Sequence, residues 1–376
     1  MKHNWQDSIK RINNYYKNQS GNVTIGADGY VDDVWQVVES RTDTGEYKLF
    51  EKVSDYANAI LARGSGGMGF ELVRKRRTYG GFVSNTGKAV GRLGGKLTML
   101  GMFGTDEIDP VFQEFVDNYG AISVGNPNVS FIYEFLDGKI MQSGTARLTP
   151  TVRSWDQLIN AIGMDGLRKA YENANVVGFG YYRNISAFDE IVEKLIDNFL
   201  ADGPCHRMFF DFGNIQNCKK EDLFSTFERF KPLNKKVPMT LSLNEHEGKI
   251  LFGMLGRDFA WDKPLASTED DIAYVREQIG LDEIIIHTPF FALGASAAEG
   301  TALVYQRNIK DTVITTGAGD NFNGGYMSAC LQKGELSLVE RLFVSNAVTG
   351  AYVQSGLSPD RMTLEAEMEE LVKVME

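Results

Sequence analysis

The sequence of 376 residues is poor in cysteine, with only three. Cys205, Cys218 and Cys330 include no CxxC pair and are odd in number, so their spacing suggests neither a disulfide framework nor a zinc site. The sequence also lacks any stretch of about 18 uncharged apolar residues, and its N-terminus lacks the apolar centre of a secretion signal. These absences predict a cytoplasmic protein that does not span a membrane.

Positive charge is in deficit as well. The chain has 39 Lys and Arg residues against 50 Asp and Glu residues, a net charge of -11. Such a balance opposes non-specific attraction to nucleic acid or to an anionic membrane, so we expect neither as a partner. An anionic ligand must then be held by local features.

Two common nucleotide-binding motifs are missing. No GxxxxGK[ST] occurs, which excludes a P-loop NTPase. The turn after the first predicted strand, Gly26 to Gly29, fails the GxGxxG pattern that a nicotinamide-dependent oxidoreductase needs there. The glycine-rich run at 64–69 follows a helical pattern and precedes a strand pattern, which is the reverse of a phosphate loop. We interpret that run as a linker.

Short apolar runs alternate with helical patterns along most of the chain. This alternation predicts an α/β fold with a mostly parallel sheet that is covered on both faces. Two segments depart from it, because residues 34–79 suggest a hairpin, a helix and a strand, and residues 129–148 suggest a hairpin turning at Asp137-Gly138. The predicted organisation is a large α/β domain (23–33, 80–128 and 149–359), a small β-rich lid (34–79 and 129–148), an N-terminal helical leader (1–22) and a C-terminal helix (360–376).

The sequence TTGAGD at 315–320 follows an apolar run into Val313 that suggests a strand, and it leads into a helical pattern. The N–H groups of Gly317, Ala318 and Gly319 would converge at a helix N-terminus, where they could form an anion hole for a phosphoryl group. A carboxylate at Asp320 would repel that group unless it accepts the proton of an attacking hydroxyl. The alternative is a simple helix cap. The local pattern leaves both open.

Two further groups of residues are candidates for binding. Asn244 and Glu247 follow the predicted strand VPMTLSL, where they form either a capping box or oxygen ligands for Mg²⁺ and its waters. Short acidic and amide side chains beside glycines suit a polyol, since hydroxyl groups both donate and accept hydrogen bonds. Turn chemistry and a helix entry are the alternatives for this second group, which consists of Asp28, Asp32, Gly80, Gly81 and Asn85.

Together, and in this order, these segments resemble the ribokinase-like, or PfkB, family of carbohydrate kinases. The D-T-x-G-A-G-D signature of that family corresponds to residues 314–320, its N-x-x-E to 244–247 and its G-G-x-x-x-N to 80–85. The resemblance covers residues 23–359 and implies a ribokinase-like three-layer α/β/α sandwich. It also implies transfer of the γ-phosphoryl group of Mg-ATP to a hydroxyl of a sugar or sugar-like acceptor.

The resemblance assigns roles to the candidate residues. Asp320 would be the general base, and the amides of Gly317, Ala318 and Gly319 would stabilise the moving phosphoryl group. Asn244 and Glu247 would organise Mg²⁺ through water. The acceptor would be held by Asp28, Asp32, Gly80, Gly81 and Asn85, and further ATP contacts would come from Thr288, Thr315 and Asn346.

Other consequences concern the lid and the surroundings of the signature. The lid would exclude water and would pair between subunits, so a homodimer is expected. Ile314 stands where the family usually has an aspartate associated with a monovalent cation, so potassium activation is not predicted. The basic run 74–77 favours either an anionic acceptor or a charged strand edge. A non-catalytic sugar- or nucleotide-binding regulator remains the alternative function, although it would predict decay of Asp320 or of the glycine turn, and both are intact.

Overall fold

The computed structural model describes residues 3–64, 66–144, 153–182, 185–213 and 215–375. The strands in these ranges are β1 (Asn22–Gly26), β2 (Tyr30–Arg41), β3 (Tyr47–Leu49), β4 (Leu72–Gly80), β5 (Lys96–Gly101), β6 (Gly120–Ser123), β7 (Asn128–Glu134), β8 (Lys139–Ser143), β9 (Val176–Gly180), β10 (Arg207–Asp211), β11 (Met239–Asn244), β12 (Glu283–His287), β13 (Phe291–Ser296) and β14 (Gly300–Tyr305). The helices are α1 (Trp5–Lys17), α2 (Val53–Ala62), α3 (Phe82–Arg92), α4 (Gln113–Asn118), α5 (Trp155–Tyr171), α6 (Phe188–Leu195), α7 (Lys220–Asn234), α8 (Glu245–Met254), α9 (Thr268–Ile279), α10 (Ala318–Ala329), α11 (Leu338–Ser355) and α12 (Arg361–Met375).

Nine of the strands form the central sheet, in the order β14-β13-β12-β11-β10-β9-β1-β5-β6. The pairings from β12 through to β6 are parallel, and β13 and β14 add an antiparallel edge. Strands such as β9 and β12 are almost continuously apolar because helices cover both faces of a parallel sheet. The carboxyl ends of the parallel strands meet at one edge, which is where a ligand site is expected.

The helices divide into two layers. One hydrophobic cluster lies between the sheet and α5 to α9, and a second lies between the other face and α1, α3, α4 and α10 to α12. The predicted three-layer α/β/α sandwich is therefore confirmed. No helix in the described part of the chain is both long enough and apolar enough to cross a membrane.

The N-terminal segment contains the expected amphipathic helix. The side chain of Asn4 caps α1 by accepting a hydrogen bond from the N–H of Asp7. The apolar face of α1 is buried, and its Trp5 ring lies 4.8 Å from the Phe343 ring of α11. The helix is thus packed into the second hydrophobic cluster of the large domain.

The lid is a five-stranded sheet. Within it β2 pairs with β3, β4 and β7, and β7 pairs with β8 through the predicted turn at Asp137-Gly138. Helix α2 packs on one face, around Phe50, Tyr56 and Phe135. Strands β2 and β4 extend beyond the predicted lid boundaries, because Tyr30 pairs with Gly80 at the ends nearest the large domain. Residues 145–152, at the predicted end of the second lid segment, lie outside the described residues.

The predicted strand running into Val313 is wrong. The segment between β14 and α10 forms no strand, although all its residues are described. Instead the N–H groups of Val313 and Ile314 both donate to the carbonyl of Val353 at the end of α11. The residues before Val313 are mainly polar and charged, so they offer a sheet little apolar surface to bury.

Candidate active site

Asp320 lies in the first turn of α10 and is buried. Both of its carboxylate oxygens accept hydrogen bonds from other elements: Oδ1 from the Tyr181 hydroxyl at 2.9 Å and Oδ2 from Asn85 Nδ2 at 3.0 Å. Burial raises the pKa of Asp320 to about 7, although these two donors oppose the shift. A carboxylate that is used only as a cap would bond to N–H groups of its own helix. The observed partners of Asp320 therefore favour the interpretation as a proton acceptor over that as a simple helix cap.

The glycine turn before Asp320 is tightly packed. Gly317 has φ +84°, and a Cβ there would lie 2.9 Å from the Tyr352 hydroxyl. A Cβ on Gly319 would lie 2.9 Å from Cε1 of His287. The Ala318 N–H donates to the carbonyl of Thr315 at 3.1 Å, so the turn itself uses one of the three predicted anion-hole donors. The positive end of the α10 dipole lies at this turn, and the anion hole remains a prediction.

A cavity of about 350 Å³ opens beside this turn, at the carboxyl ends of β10 to β12. We call it the acidic cavity, because three carboxylates face it in a small volume. Its lining is Tyr181, Asp211, Gly213, Asn244, Glu247, His287, Gly317, Gly319 and Asp320.

Asn244 and Glu247 form the capping box that was one of the two interpretations. Asn244 Oδ1 accepts from the N–H groups of His246 and Glu247, both at 3.0 Å. Glu247 Oε2 accepts from the Asn244 N–H at 3.2 Å. Because the same two side chains line the acidic cavity, the capping box also holds them in position at this cavity. The metal-binding prediction stays open.

Asp211 was missed by the sequence analysis. It ends β10, its Oδ2 accepts from Asn323 Nδ2 at 2.8 Å, and its Oδ1 accepts from the Gly213 N–H at 3.1 Å. Burial, followed by the charges of Glu247 and Asp320, raises its pKa well above the usual value. A carboxylate that ends a parallel strand at the ligand edge is the signal that could have identified it.

The acidic cavity does not form a closed metal cage. Among the described residues, no three His, Cys, Asp or Glu side chains are arranged as a metal-binding group. Mg²⁺ commonly keeps several waters and bonds directly to only one or two carboxylates. The oxygen-rich lining therefore fits a magnesium ion that is held largely through water.

A second cavity, of about 240 Å³, lies between the lid and the large domain. We call it the lid cavity. Asn85 lines it and also donates to Asp320, so this asparagine connects the two cavities. The other polar side chains of its lining are Asp32, Arg76, Thr78, Tyr79, Lys88, Glu134, Lys139, Thr316, Asn321, Tyr352 and Ser358.

Asp32 lies in β2 and faces the lid cavity. Burial raises its pKa to about 6, against the charges of Lys139 and Arg76, which lower it. A Cβ on Gly80 would lie 2.7 Å from both Asp32 oxygens, so only glycine leaves room for this carboxylate. The structure thus brings Asp32 and Asn85 to one cavity, with Gly80 packed against Asp32, and their contact with an acceptor remains a prediction.

Asp28 has a structural role, which is to cap a distant helix and differs from the turn chemistry that was its alternative interpretation. Its two oxygens accept from the N–H groups of Phe82 and Val83, both at 2.9 Å, at the start of α3. Burial raises its pKa to about 7. Gly81 has φ +87°, and a Cβ there would lie 2.8 Å from Asp28 Oδ2. Neither residue is among the described lining of either cavity, and direct contact with an acceptor remains only a prediction.

The three weaker predictions for ATP contacts are also absent from the described linings of both cavities. Thr288 Oγ1 accepts from the N–H groups of Phe290 and Phe291 in the turn after β12. Asn346 is buried, and its Nδ2 donates to the carbonyl of Val304 at 3.0 Å. Thr315 is exposed in the turn before α10. The hydrogen bonds of Thr288 and Asn346 give these two residues a local structural explanation, and all three predicted contacts remain untested.

Each residue of the basic run 74–77 has an acidic partner, three of them within the lid or its first strand and one in the large domain. Arg74 pairs with Asp33, Lys75 and Arg76 pair with Glu134, and Arg77 pairs with Asp109. Only Arg76 of the four is among the described residues that line the lid cavity. This arrangement favours a charged strand, which was the second interpretation of the run.

Comparison with known proteins identifies the family. The profile of the prokaryotic ketohexokinase family matches residues 8–371. The chain belongs to that family. A ketohexokinase from Haloferax volcanii is 27% identical over 352 residues, which are 90% of this chain and 88% of the relative.

Solved structures show the same fold. A variant of phosphofructokinase-2 from Escherichia coli matches with a TM-score of 0.61 and 13% identity, over 94% of this chain and 100% of that chain. A nucleoside kinase from Methanocaldococcus jannaschii, an archaeal member of the ribokinase family, matches with a TM-score of 0.56 and 17% identity, over 94% and 99%. The resemblance to ribokinase-like kinases is confirmed. This member of the prokaryotic ketohexokinase family is a carbohydrate kinase, a phosphotransferase with an alcohol group as acceptor.

Proposed function

We propose that the protein transfers the γ-phosphoryl group of ATP to a hydroxyl group of a ketohexose, with Asp320 as the general base. The observation that carries the proposal is the position of Asp320, which lines the acidic cavity and bonds to Asn85 of the lid cavity. A nucleotide in the acidic cavity and a sugar in the lid cavity would meet at this carboxylate. The ketohexose is proposed from the family and from the Haloferax volcanii relative.

In the proposed reaction, Asp320 accepts the proton of the attacking hydroxyl group. The acceptor oxygen forms a bond to the γ-phosphorus, the bond from that phosphorus to the bridging oxygen breaks, and its electron pair leaves with ADP. A pKa of about 7 suits this task, because a base is most effective when its pKa lies near the working pH. Tyr181 and Asn85 keep the carboxylate in one orientation.

The turn before α10 supports the transfer electrostatically. The amides of Gly317 and Gly319 and the helix dipole provide positive potential where charge develops on the phosphoryl oxygens. The Ala318 amide contributes less, because it already donates within the turn. Glycine at both positions allows His287 and Tyr352 to pack closely against this turn.

Asn244, Glu247 and Asp211 would hold Mg²⁺ at the floor of the acidic cavity, mainly through water. Bound there, the ion supplies charge neutralisation for the phosphates. Its charge would also relieve the repulsion between Glu247 and Asp211, which contributes to the raised pKa of Asp211. The hydrogen bonds of these three residues hold their side-chain oxygens in place before the nucleotide binds.

The lid is proposed to exclude water and to pair between two subunits. Phe131 and Met141 on its strands and Leu136 at its hairpin are all exposed apolar side chains. Burying such residues in a homodimer would remove apolar surface from water. Light scattering on the purified protein tests this proposal, and the expected result is the mass of two chains.

The function is tested by a coupled assay of ATP consumption. Ketohexoses, aldohexoses, hexose phosphates, sugar acids and nucleosides are supplied one at a time, and the phosphorylated product is located by NMR. The proposal predicts the highest kcat/KM with a ketohexose and dependence on Mg²⁺. A strong preference for nucleosides or sugar acids, or no stimulation by any sugar, would overturn it.

A further inference from the structure

Lys139 connects the lid to the turn before α10. It is the first residue of β8, and its Nζ donates a hydrogen bond to Thr316 Oγ1. Thr316 directly precedes Gly317, whose amide is part of the proposed anion hole. The ammonium group of a lid residue therefore lies one residue from the place where a phosphoryl anion is expected.

The charge of Lys139 is not neutralised in the way that the other cations of the lid cavity are. Arg76 pairs with Glu134 and Lys88 pairs with Glu114. Among the described residues, Lys139 forms no ion pair. Its Nζ bonds instead to the hydroxyl group of Thr316. The positive charge of Lys139 opposes the rise in the pKa of Asp32 that burial causes.

The surroundings of Thr316 contain little negative charge on the turn itself. Ile314, which also lines the lid cavity, is apolar. The hydroxyl of Tyr352 donates to the Thr316 carbonyl at 2.7 Å, and this bond fixes the turn. Lys139 is thus a charged lid residue that bonds directly to this turn.

The turn also lies close to the proposed base. A Cβ on Gly317 would lie 3.5 Å from Asn85 Nδ2, and that nitrogen donates to Asp320. Thr316 lines the lid cavity and Gly317 lines the acidic cavity, so in the proposed function a phosphoryl group that moves from one cavity to the other would pass beside this turn. A flexible lysine side chain that now bonds to Thr316 can reach a phosphoryl oxygen there.

We propose that Lys139 is a further catalytic residue, a lid cation that exchanges the Thr316 hydroxyl for the phosphoryl group during transfer. This inference rests on the proposed function. In a loose transition state the charge spreads over three equatorial oxygens, and an ammonium group that contacts those oxygens stabilises it.

The test uses the full-length protein with Lys139→Ala and Lys139→Arg. We expect Lys139→Ala to lower kcat by about 100-fold, the loss typical of removing one such group, while the KM for the ketohexose changes less than about threefold. Lys139→Arg should keep most of the activity, and ethylammonium chloride should restore part of the kcat of Lys139→Ala. The matched control is Lys48→Ala, since Lys48 is an exposed lid lysine on β3 that pairs with Glu39.

The outcomes separate the inference from the proposed function. A kcat for Lys139→Ala within about threefold of wild type overturns the inference, as does a loss confined to KM. A large loss shared equally by Lys139→Arg and unaffected by ethylammonium also overturns it. If Asp320→Asn is inactive while Lys139→Ala is fully active, only the lysine role fails. If Asp320→Asn keeps full activity, the proposed general base fails whatever Lys139 does.

Discussion

The hydrogen bond from Tyr181 to Asp320 gives a prediction with a defined sign. Tyr181→Phe removes the donor at 2.9 Å from Oδ1 and leaves the ring in place. A hydrogen bond to a charged group contributes about 1.5–3 kcal/mol. Because one pKa unit corresponds to about 1.4 kcal/mol, its loss should move the ionisation of Asp320 to higher pH by about one pH unit. The base acts only when ionised, so the acidic limb of the pH profile should move upward.

The expected size follows from the wild-type pKa of about 7. At pH 7 about half of the wild-type carboxylate is ionised, and in the variant about one tenth, so kcat/KM should fall about fivefold at pH 7 and recover near pH 9. The assay is kcat/KM against pH. Tyr182→Phe is the matched control, because the Tyr182 hydroxyl bonds to Thr226 away from Asp320. A loss that is equal at all pH values, or an unchanged profile, would refute the reasoning.

Three further predictions concern stability. Gly81→Ala should destabilise the fold by about 1–3 kcal/mol in urea unfolding, because φ at Gly81 is +87° and the added Cβ would meet Asp28. Gly253→Ala is the control and should not destabilise the fold, because its Cβ would meet nothing within 4 Å. Equal unfolding midpoints for the two variants would contradict this. Arg341→Met should cost about 3 kcal/mol in guanidinium unfolding, because it removes the 2.6 Å ion pair with buried Glu283; a cost below about 1 kcal/mol would show that the pair is dispensable. Asp320→Asn should gain thermal stability relative to wild type as pH rises from about 4 to 7. The reason is that the pKa of Asp320 is raised, so that the folded wild type loses this proton at a higher pH than the unfolded chain does and becomes less stable over this range. A stability difference that does not change with pH would be inconsistent with that pKa.

Much of the fold could be predicted from the sequence because its local patterns agree with its global architecture. Apolar runs such as those of β9 and β12 are typical of strands covered on both faces. The short edge strand β6 was not predicted, since four residues carry too little periodicity. The run that ends in Val313-Ile314 was predicted as an apolar strand, but the N–H groups of these two residues bond to the end of α11 instead.

The candidate site could be predicted in part. Short motifs identified Asp320 and Asn85, and their hydrogen bond joins residues 235 positions apart. Tyr181 and Lys139 belong to no motif, and only the tertiary fold brings them to the turn before α10. Asp28 shows the converse, because an acidic residue after the first strand has the same local pattern whether it binds a ligand or caps a helix.

The most direct test of the central claim is the turnover of Asp320→Asn with ATP and the preferred ketohexose, measured together with the affinity for ATP. The account predicts a fall in kcat of about 10³-fold or more, as for loss of a general base, with the Kd for ATP within about threefold of wild type. Turnover near the wild-type rate would contradict the assignment of Asp320 as the base.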